Sequence, residues 1–379
     1  MVTLQNYQCP ACGGGLTFDA QSGKVRCEYC NSVFDIKEIE TLYAAQEKPE
    51  AQSQEHSQAQ DAPADGESAQ WDTSHLSEDW GDATSSLKMY NCPSCGANIM
   101  CEQTTAATSC PYCGNPTVIG TLFTGALKPD YIIPFKVDKK GAINALKRFY
   151  EHKPLLPSNF ASQNHLEETQ ALYVPFWFFD GQAYAEALFN TTTKTSVQTT
   201  EGTDITINHY DCHRAGFIDF KMIPVDASKK MNDDLMDSIE PYDYTEIQAF
   251  STAYLPGFMA DIHDVSAEEC FERANARCED TCISALRSTV SDKYDSCSVA
   301  RKKVVLKQGR VSYGLLPVYL LNTKCEDKKY VFAVNGQTGK VVGDLPISKG
   351  KAVLSFLMKL VIGFIIGGIA SYGLYFLNT

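Results

Sequence analysis

An uninterrupted apolar segment spans residues 360–377. It reads LVIGFIIGGIASYGLYFL and carries neither a charge nor a polar face. At about 1.5 Å per residue it measures roughly 27 Å as a helix, close to the roughly 30 Å hydrocarbon core of a bilayer. Residues 352–358 extend the apolar pattern, so the sequence predicts one transmembrane helix over residues 352–377.

Basic residues flank one side of this segment. Lys349, Lys351 and Lys359 precede or enter it, and only Asn378 and Thr379 follow it. Because positively charged flanks stay on the cytoplasmic side, the pattern predicts a single-pass protein of the cell membrane with a cytoplasmic N-terminus.

Two earlier segments have the period of amphipathic helices. Residues 138–152 place Ala142, Ala145, Leu146, Phe149 and Tyr150 on one face. A capping box, Ser266 followed by Glu269, opens the second helix. Its apolar face carries Cys270, Cys278 and Cys282, which we interpret as small core residues.

Strand-like runs alternate with these helices. They cover residues 131–137, 171–179, 182–189, 203–210, 302–307, 311–313, 316–322 and 330–334. The short connection at residues 307–310 predicts a hairpin, and Asn335-Gly336 predicts a turn after the last run. Residues 121–350 are therefore predicted to form a largely antiparallel α+β domain.

The cysteines add a repeat to this picture. The spacing C-x2-C-x14-C-x2-C occurs twice, and nothing near Met1 resembles a secretory signal. Paired C-x-x-C motifs in a reducing compartment indicate tetrahedral thiolate sites more often than disulfides. We predict two structural Zn²⁺ ions in two ribbons, at residues 1–36 (the first ribbon) and 88–120 (the second ribbon). Iron remains a chemical alternative because it accepts the same ligands. The predicted ligands are Cys9, Cys12, Cys27 and Cys30, and then Cys92, Cys95, Cys110 and Cys113.

The composition changes between the two ribbons. Residues 37–87 are rich in Gln, Ala, Ser, Glu and Asp, which predicts an acidic flexible linker that leaves the first ribbon free to move. Trp71 and Trp80 are interpreted as solvated linker aromatics, with a short docking motif as the alternative.

Net charge and motifs narrow the function. The formal charge of −13 disfavours general affinity for nucleic acid. Residues 336–340 lack the spacing of a phosphate-binding loop, so a turn is expected there.

The remaining candidate chemical groups have structural interpretations. The acidic run 226–240 suggests either a cation site or, preferably, a solvated helix face. Cys101 is expected to be a buried non-ligand, and Cys212 with His213 to lie on an ordinary strand edge. No catalytic constellation emerges, which predicts a protein that is not an enzyme.

The chain resembles a known family through a set of motifs outside the linker. It is similar to bacterial membrane proteins that contain zinc ribbons of the transcription-factor-IIB type. That resemblance implies company with phage-shock-type and flotillin-like membrane-organising proteins. The motifs are the paired ribbons, Tyr131-Ile-Ile-Pro-Phe, Leu172-Tyr-Val-Pro-Phe-Trp, Ile223-Pro-Val-Asp-Ala-Ser, Tyr254-Leu-Pro-Gly-Phe, Leu315-Leu-Pro-Val-Tyr-Leu-Leu-Asn-Thr-Lys and Phe332-Ala-Val-Asn-Gly-Gln-Thr-Gly-Lys.

These patterns together predict a membrane-anchored cytoplasmic scaffold or adaptor. Its expected partners are cytoplasmic or membrane proteins and the lipid bilayer. The alternative is a membrane-tethered factor associated with nucleic acid in replication or transcription. DNA binding that weakens with salt would favour that alternative.

Overall fold

The structure is a computed structural model of the 379-residue chain. It describes residues 9–11, 16–19, 22–27, 30–39, 71–80, 87–102, 109–115, 119–121, 126–157, 160, 166–200, 202–325 and 328–377.

These residues form an α+β fold in which most strands belong to one large sheet. The strands are β1 (Leu16–Asp19), β2 (Lys24–Cys27), β3 (Val33–Phe34), β4 (Trp71–Asp72), β5 (Leu87–Asn91), β6 (Asn98–Glu102), β7 (Ile119–Thr121), β8 (Tyr131–Ile132), β9 (Gln170–Thr199), β10 (Gly202–Asp226), β11 (Gln248–Ala249), β12 (Met259–Asp261), β13 (Ser296–Cys325), β14 (Lys328–Asn335) and β15 (Val341–Gly343). The helices are α1 (Lys139–Tyr150), α2 (Asp233–Ile239), α3 (Phe271–Ser288) and α4 (Lys349–Leu377).

Three long antiparallel strands form the centre of the sheet. β9 lies between β10 and β13 and pairs with both over most of its 30 residues. Beyond Thr192, where β13 begins to pair, the β9–β10 hairpin continues as a two-stranded arm with exposed side chains. Shorter strands complete the edges: β4, β8 and β14 pair with β13, and β12 pairs with β9.

The two faces of β9 are covered differently. Tyr173 packs in a cluster that includes α1, whereas Trp177 and Phe179 pack in a cluster that includes α3. Phe176 and Phe178 point the opposite way, towards α2. Residues 171–179 are therefore buried on both faces, which explains their unbroken apolar run. After residue 181 the even positions are only partly buried, and the sequence alternates accordingly.

The predicted hairpin at residues 307–310 is wrong. These residues lie inside β13, where a bulge between Leu306 and Gln308 shifts the register against β9. Gly309 pairs with Gly181 there, and both glycines make room for close neighbours. A β-bulge places glycine and polar residues within one strand, so it resembles a turn in the sequence. By contrast, the turn after Asn335 is confirmed, because β14 and β15 are antiparallel neighbours.

Both predicted amphipathic helices are present. Asp138 caps α1 by accepting a hydrogen bond from the Gly141 N–H at 2.6 Å. Before α3, the Ser266 N–H donates to Glu269 and the Glu269 N–H donates to the Ser266 hydroxyl, which confirms the capping box. The helix cysteines are buried core residues, as expected: Cys270, Cys278 and Cys282.

Trp71 and Trp80 are not solvated, so that interpretation is wrong. Trp71 lies edge-on to Phe179 at 4.9 Å between ring centroids and donates its indole N–H to Asn275 at 2.9 Å. Trp80 is buried beside Phe250. Each large ring removes apolar area from water, and that gain holds residues 71–80 on the sheet.

The acidic run at residues 226–240 includes an exposed helix face, as expected, and several of its carboxylates also form ion pairs. Arg273 contacts Asp226 and Asp237 at 3.0 Å, and Arg277 contacts Glu240 at 2.7 Å. Asp226 is buried, and burial raises its pKa to about 6 even though Arg273 opposes the shift. These contacts join α2 to α3.

Helix α4 is long and apolar enough to cross a membrane by length and composition. The side chains described for residues 352–368 are exposed or half-buried, with Leu354, Phe356 and Phe364 each at least 65% exposed. The helix begins beside the end of α1, where the Ser348 N–H donates to the Leu155 carbonyl at 2.9 Å.

Candidate metal centres

The second ribbon is built from two tight loops of the same form. In the first loop the Gly96 N–H donates to the Cys92 carbonyl at 2.8 Å, and in the second the Gly114 N–H donates to the Cys110 carbonyl at 2.9 Å. Both glycines have φ of +72°, a conformation that other residues adopt with strain. This turn aims both sulfurs of each C-x-x-C pair to the same side.

Four sulfurs converge between these loops. Cys92 Sγ lies 3.6 Å from Cys113 Sγ, and Cys95 Sγ lies 3.6 Å from Cys110 Sγ. Four thiolates around a zinc ion at about 2.3 Å would be separated by about 3.8 Å. The separations are too long for a disulfide, which is about 2.05 Å, and close to those of a tetrahedral metal site. The predicted ligand set of this ribbon is therefore brought together in a geometry that could hold a metal ion.

Because the cysteine cluster is partly buried, its sulfurs need a nearby positive charge to be stable as thiolates. Burial raises the pKa of Cys95 and of Cys110. For Cys92, burial also acts to raise the pKa. Hydrogen bonds from the backbone N–H groups of Cys95 and Ser94 outweigh burial and lower the pKa of Cys92 to about 7. A bound divalent cation would stabilise all four groups as thiolates.

The first ribbon shows three of its four predicted ligands together. Cys9, Cys27 and Cys30 form one cluster, with Cys9 Sγ 3.5 Å from Cys30 Sγ. Cys12 lies outside the described residues. The loop at Cys27 repeats the hydrogen bonds of the second ribbon, and Asn31 takes the positive φ, here +58°, that glycine takes there. Asparagine tolerates this conformation better than most residues.

The second ribbon is joined to the central sheet. Its strand β6 pairs antiparallel with β12, which itself pairs with β9. The Asn322 side chain donates to the Pro111 carbonyl at 2.6 Å, and Tyr112 donates its hydroxyl to Asp261. Pro111 and Tyr112 are the two residues between Cys110 and Cys113, so the metal loop itself makes these contacts.

Asp261 is the buried charge at this junction. Its carboxyl also accepts a hydrogen bond from the Ser228 hydroxyl at 2.7 Å. Burial raises its pKa to about 7, although the hydrogen bonds from Tyr112 and Ser228 act in the opposite direction.

The first ribbon is also packed on the body, so the expectation that it moves freely is wrong. Phe18 contacts the rings of Tyr254 and Phe258 at 5.7 and 6.2 Å between centroids. Its N–H donates to the Pro256 carbonyl at 3.4 Å. The motif Tyr254-Leu-Pro-Gly-Phe therefore provides an apolar seat for a ribbon whose own core is too small to bury Phe18.

The other groups that the sequence analysis singled out lie in ordinary strands and turns. Cys101 is buried on β6, and its sulfur is not part of the metal cluster. Cys212 lies on β10 and faces Thr191, and His213 contacts Glu186 at 2.8 Å. Residues 336–340 form the turn between β14 and β15.

The sequence did not reveal the groups that hold the ribbons in place. Tyr112, Ser228 and Asp261 are far apart in the chain and meet only because β6 joins the sheet. Tyr112 had one signal, since a large aromatic side chain in an exposed metal loop needs a surface to pack against. A lone aspartate and a lone serine carry no comparable pattern.

This protein is an α+β protein with two cysteine clusters that could hold metal ions and one exposed apolar helix that is long enough to cross a membrane. The chain is 32% identical over 351 residues, 93% of each chain, to "Uncharacterized protein YdjG" of Bacillus subtilis (strain 168), and it belongs to the same family. No family model and no solved structure matches the chain.

Proposed function

We propose that this protein is a membrane-anchored scaffold or adaptor that presents two structural zinc ribbons to cytoplasmic partners. One observation carries the proposal: consecutive residues, 254–261, hold both ribbons. Tyr254 and Phe258 seat the first ribbon, and β12 pairs with β6 of the second. The two ribbons therefore form a composite surface with a fixed spacing, which suits recognition of another protein.

The donor set supports zinc in a structural role. Four thiolates fill a tetrahedral coordination sphere and leave no position for water or substrate. Metal binding would then supply the folding free energy that a module of this size cannot obtain from its own core. Partners related to phage-shock-type or flotillin-like membrane proteins remain the expectation from family resemblance.

The metal assignment is tested by comparing two cysteine substitutions in the second ribbon. We expect two zinc ions per wild-type chain, one after Cys113→Ser, and two after Cys101→Ser, because Cys101 is buried in the same ribbon but is not a ligand. Elemental analysis of the purified full-length protein gives the count. Iron in place of zinc, or a loss of metal in both variants alike, would contradict the assignment.

The scaffold role is tested with the same two variants in cells. Full-length protein is crosslinked and its partners are identified by mass spectrometry. We expect partner recovery to fall about tenfold or more with Cys113→Ser, equivalent to about 1.4 kcal/mol of binding free energy, and to stay unchanged with Cys101→Ser. Equal recovery from both variants would refute a ribbon-dependent scaffold. Salt-sensitive binding of DNA to the purified protein would favour the nucleic-acid function instead.

A further inference from the structure

The start of the apolar helix is fixed against the body by specific contacts. The Lys351 ammonium group donates to the Leu156 carbonyl at 2.7 Å, and the Ser348 N–H donates to the carbonyl of the preceding residue, Leu155. The helix base therefore keeps a defined position relative to the loop that follows α1.

An aromatic cluster beside this loop brings distant lysines to the helix base. Tyr150 packs on Phe160 at 5.6 Å between centroids, and Phe160 packs on Tyr330 at 6.0 Å. The Lys328 ammonium group lies 5.4 Å from the centre of the Tyr330 ring. On the other side of the cluster, the Lys153 ammonium group lies 5.5 Å from the Phe149 ring.

Lys329 belongs to the same surface, because it lines one cavity together with Lys328, Phe149 and Tyr330. Lys153, Lys328 and Lys329 are exposed, and none of the ion pairs among the described residues involves them. We call Lys153, Lys328, Lys329, Lys349 and Lys351 the basal lysines.

The basal lysines contrast with the rest of the molecule. The chain carries a formal charge of −13, yet the segments around the helix base are rich in basic residues. Lys147 and Arg148 in the last turn of α1 add to the set, against the acidic residues Glu151, Asp234 and Asp344, and the sequence places Glu326 and Asp327 directly before Lys328. A basic surface on an acidic protein needs a reason beyond solubility.

The apolar helix places the basal lysines at the height of lipid headgroups. Exposed apolar side chains begin immediately after Lys351, with Val353 and Leu354 at 59% and 66% exposure. If residues 360–377 fill the hydrocarbon core, Lys351 lies nine residues before it, at most about 13 Å from the hydrocarbon boundary on the headgroup side. Lysine stems can then reach phosphate groups at the interface.

We infer that the basal lysines form a docking surface for the anionic phospholipid headgroups of the leaflet that holds α4. This inference rests on the membrane anchoring in the proposed function and adds a lipid class and an orientation to it. Lys153 and Lys328, which are 175 positions apart in the sequence numbering, would hold the body at a fixed tilt against the leaflet.

The test measures lysine acetylation in the full-length protein by mass spectrometry. The protein is placed in nanodiscs of phosphatidylcholine, or of an equal mixture of phosphatidylcholine and phosphatidylglycerol. We expect acetylation of Lys153, Lys328 and Lys329 to slow about fivefold in the anionic discs, which corresponds to about 1 kcal/mol per lysine near an anionic leaflet. High salt should restore the rates. Lys221 and Lys307, which line a cavity on the middle of the sheet, serve as internal controls and should not change.

Matched double variants test the surface as a unit. Lys328→Gln with Lys329→Gln should reduce the lipid-dependent protection of Lys153, whereas Lys221→Gln with Lys307→Gln should leave it unchanged. Equal rates in the two kinds of disc would overturn the inference. Protection by inorganic phosphate in phosphatidylcholine discs would also overturn it, because the site would then bind a free anion.

A separate measurement keeps this inference distinct from the anchoring on which it rests. Alkaline carbonate should leave the full-length protein in the vesicle membrane. If carbonate extracts the protein, the anchoring itself fails and the docking surface fails with it. If the protein stays inserted but its lysines react equally in both discs, the docking surface alone is refuted.

Discussion

The carboxyl group of Asp261 lies where the second ribbon meets the central sheet. It accepts hydrogen bonds from Tyr112, 149 residues away in the chain, and from Ser228, 33 residues away. Burial raises its pKa to about 7, from 3.8 in an unstructured chain. The folded protein therefore binds a proton here in a pH range where the unfolded chain does not.

This shift predicts how stability depends on pH. Because the folded-state pKa is the higher one, stability is greatest below about pH 4 for this group and declines as pH rises through about 7. Relative to Asp261→Asn, the wild-type free energy of unfolding should fall by roughly 2 to 3 kcal/mol between pH 5 and pH 8. Asparagine keeps an oxygen that accepts both hydrogen bonds. Denaturant unfolding at several pH values measures the difference, and parallel pH profiles for the two proteins would disprove the shift.

At the scale of single residues, the sequence predicted the candidate metal ligands better than it predicted the residues that contact the ribbons. The spacing of Cys92, Cys95, Cys110 and Cys113 fixes a tetrahedral site locally, so those residues could be named in advance. Asp261 could not be, because its environment depends on the pairing of β6 with β12. The core positions of the α3 cysteines were predictable, since helical period alone assigns them to one face.

The elements show where local patterns mislead. α1 and α3 follow from period and capping: α1 begins at Lys139, where expected, whereas α3 begins at Phe271, five residues after Ser266, because a 3-10 turn at Glu268–Cys270 lies between them. The three central strands do not, because Gly181, Gly309 and the bulge near Gln308 look like turn residues. These residues are explained by their neighbours in space: Gly309 lies opposite Gly181, Gly181 makes room for Phe220, and Gly309 makes room for the Trp71 ring.

Trp71 and Gly309 give a prediction for this part of the sheet. A Cβ at Gly309 would lie 2.4 Å from the Trp71 ring, so Gly309→Ala should destabilise the protein by about 1 to 3 kcal/mol. Trp71→Ala removes a buried ring and should cost about 3 to 5 kcal/mol. In the Trp71→Ala background, the Gly309 substitution should lose most of its effect, because the clashing ring is gone.

Denaturant unfolding of the four proteins in this cycle measures the coupling between the two sites. A solvated tryptophan would make both single substitutions nearly neutral, within about 0.5 kcal/mol. That result, or simple additivity of the two effects, would contradict the packing of residues 71–80 on β13.

The whole molecule combines a body that has its own core with a helix that has none. The described apolar side chains of α4 after Ala352 are exposed, whereas both ribbons share contacts with the body. Composition predicted α4 well, since an apolar helix without a polar face has few alternatives. Composition failed to predict the structure of residues 71–80, because the burial of Trp71 and Trp80 holds this segment on the sheet although most of its other residues are polar.

Truncation of the helix should therefore separate anchoring from folding. A chain ending at Ala352 keeps the hydrogen bonds of Ser348 and Lys351 to the body. We expect it to partition into the aqueous phase of a detergent extraction, with a free energy of unfolding within about 0.5 kcal/mol of the full-length protein in the same detergent. A truncated protein that stays with the detergent phase, or that unfolds, would show that α4 is not the anchor or is part of the core.

The arm formed by the ends of β9 and β10 has a consequence for reach. β9 contains 30 residues, which corresponds to a contour length of up to about 100 Å. Its beginning, at Gln170, pairs with Leu320 of β13, whereas its far end carries exposed Val197 on one face of the arm, and exposed Ile205 and Ile207 of β10 lie on the other face. Since electrostatic fields in the cell decay over about 8 Å, a ligand bound at the far end of the arm would not be affected by charges at the opposite end of β9. The two ends of the long strand β9 could therefore bind different ligands without electrostatic interference between them.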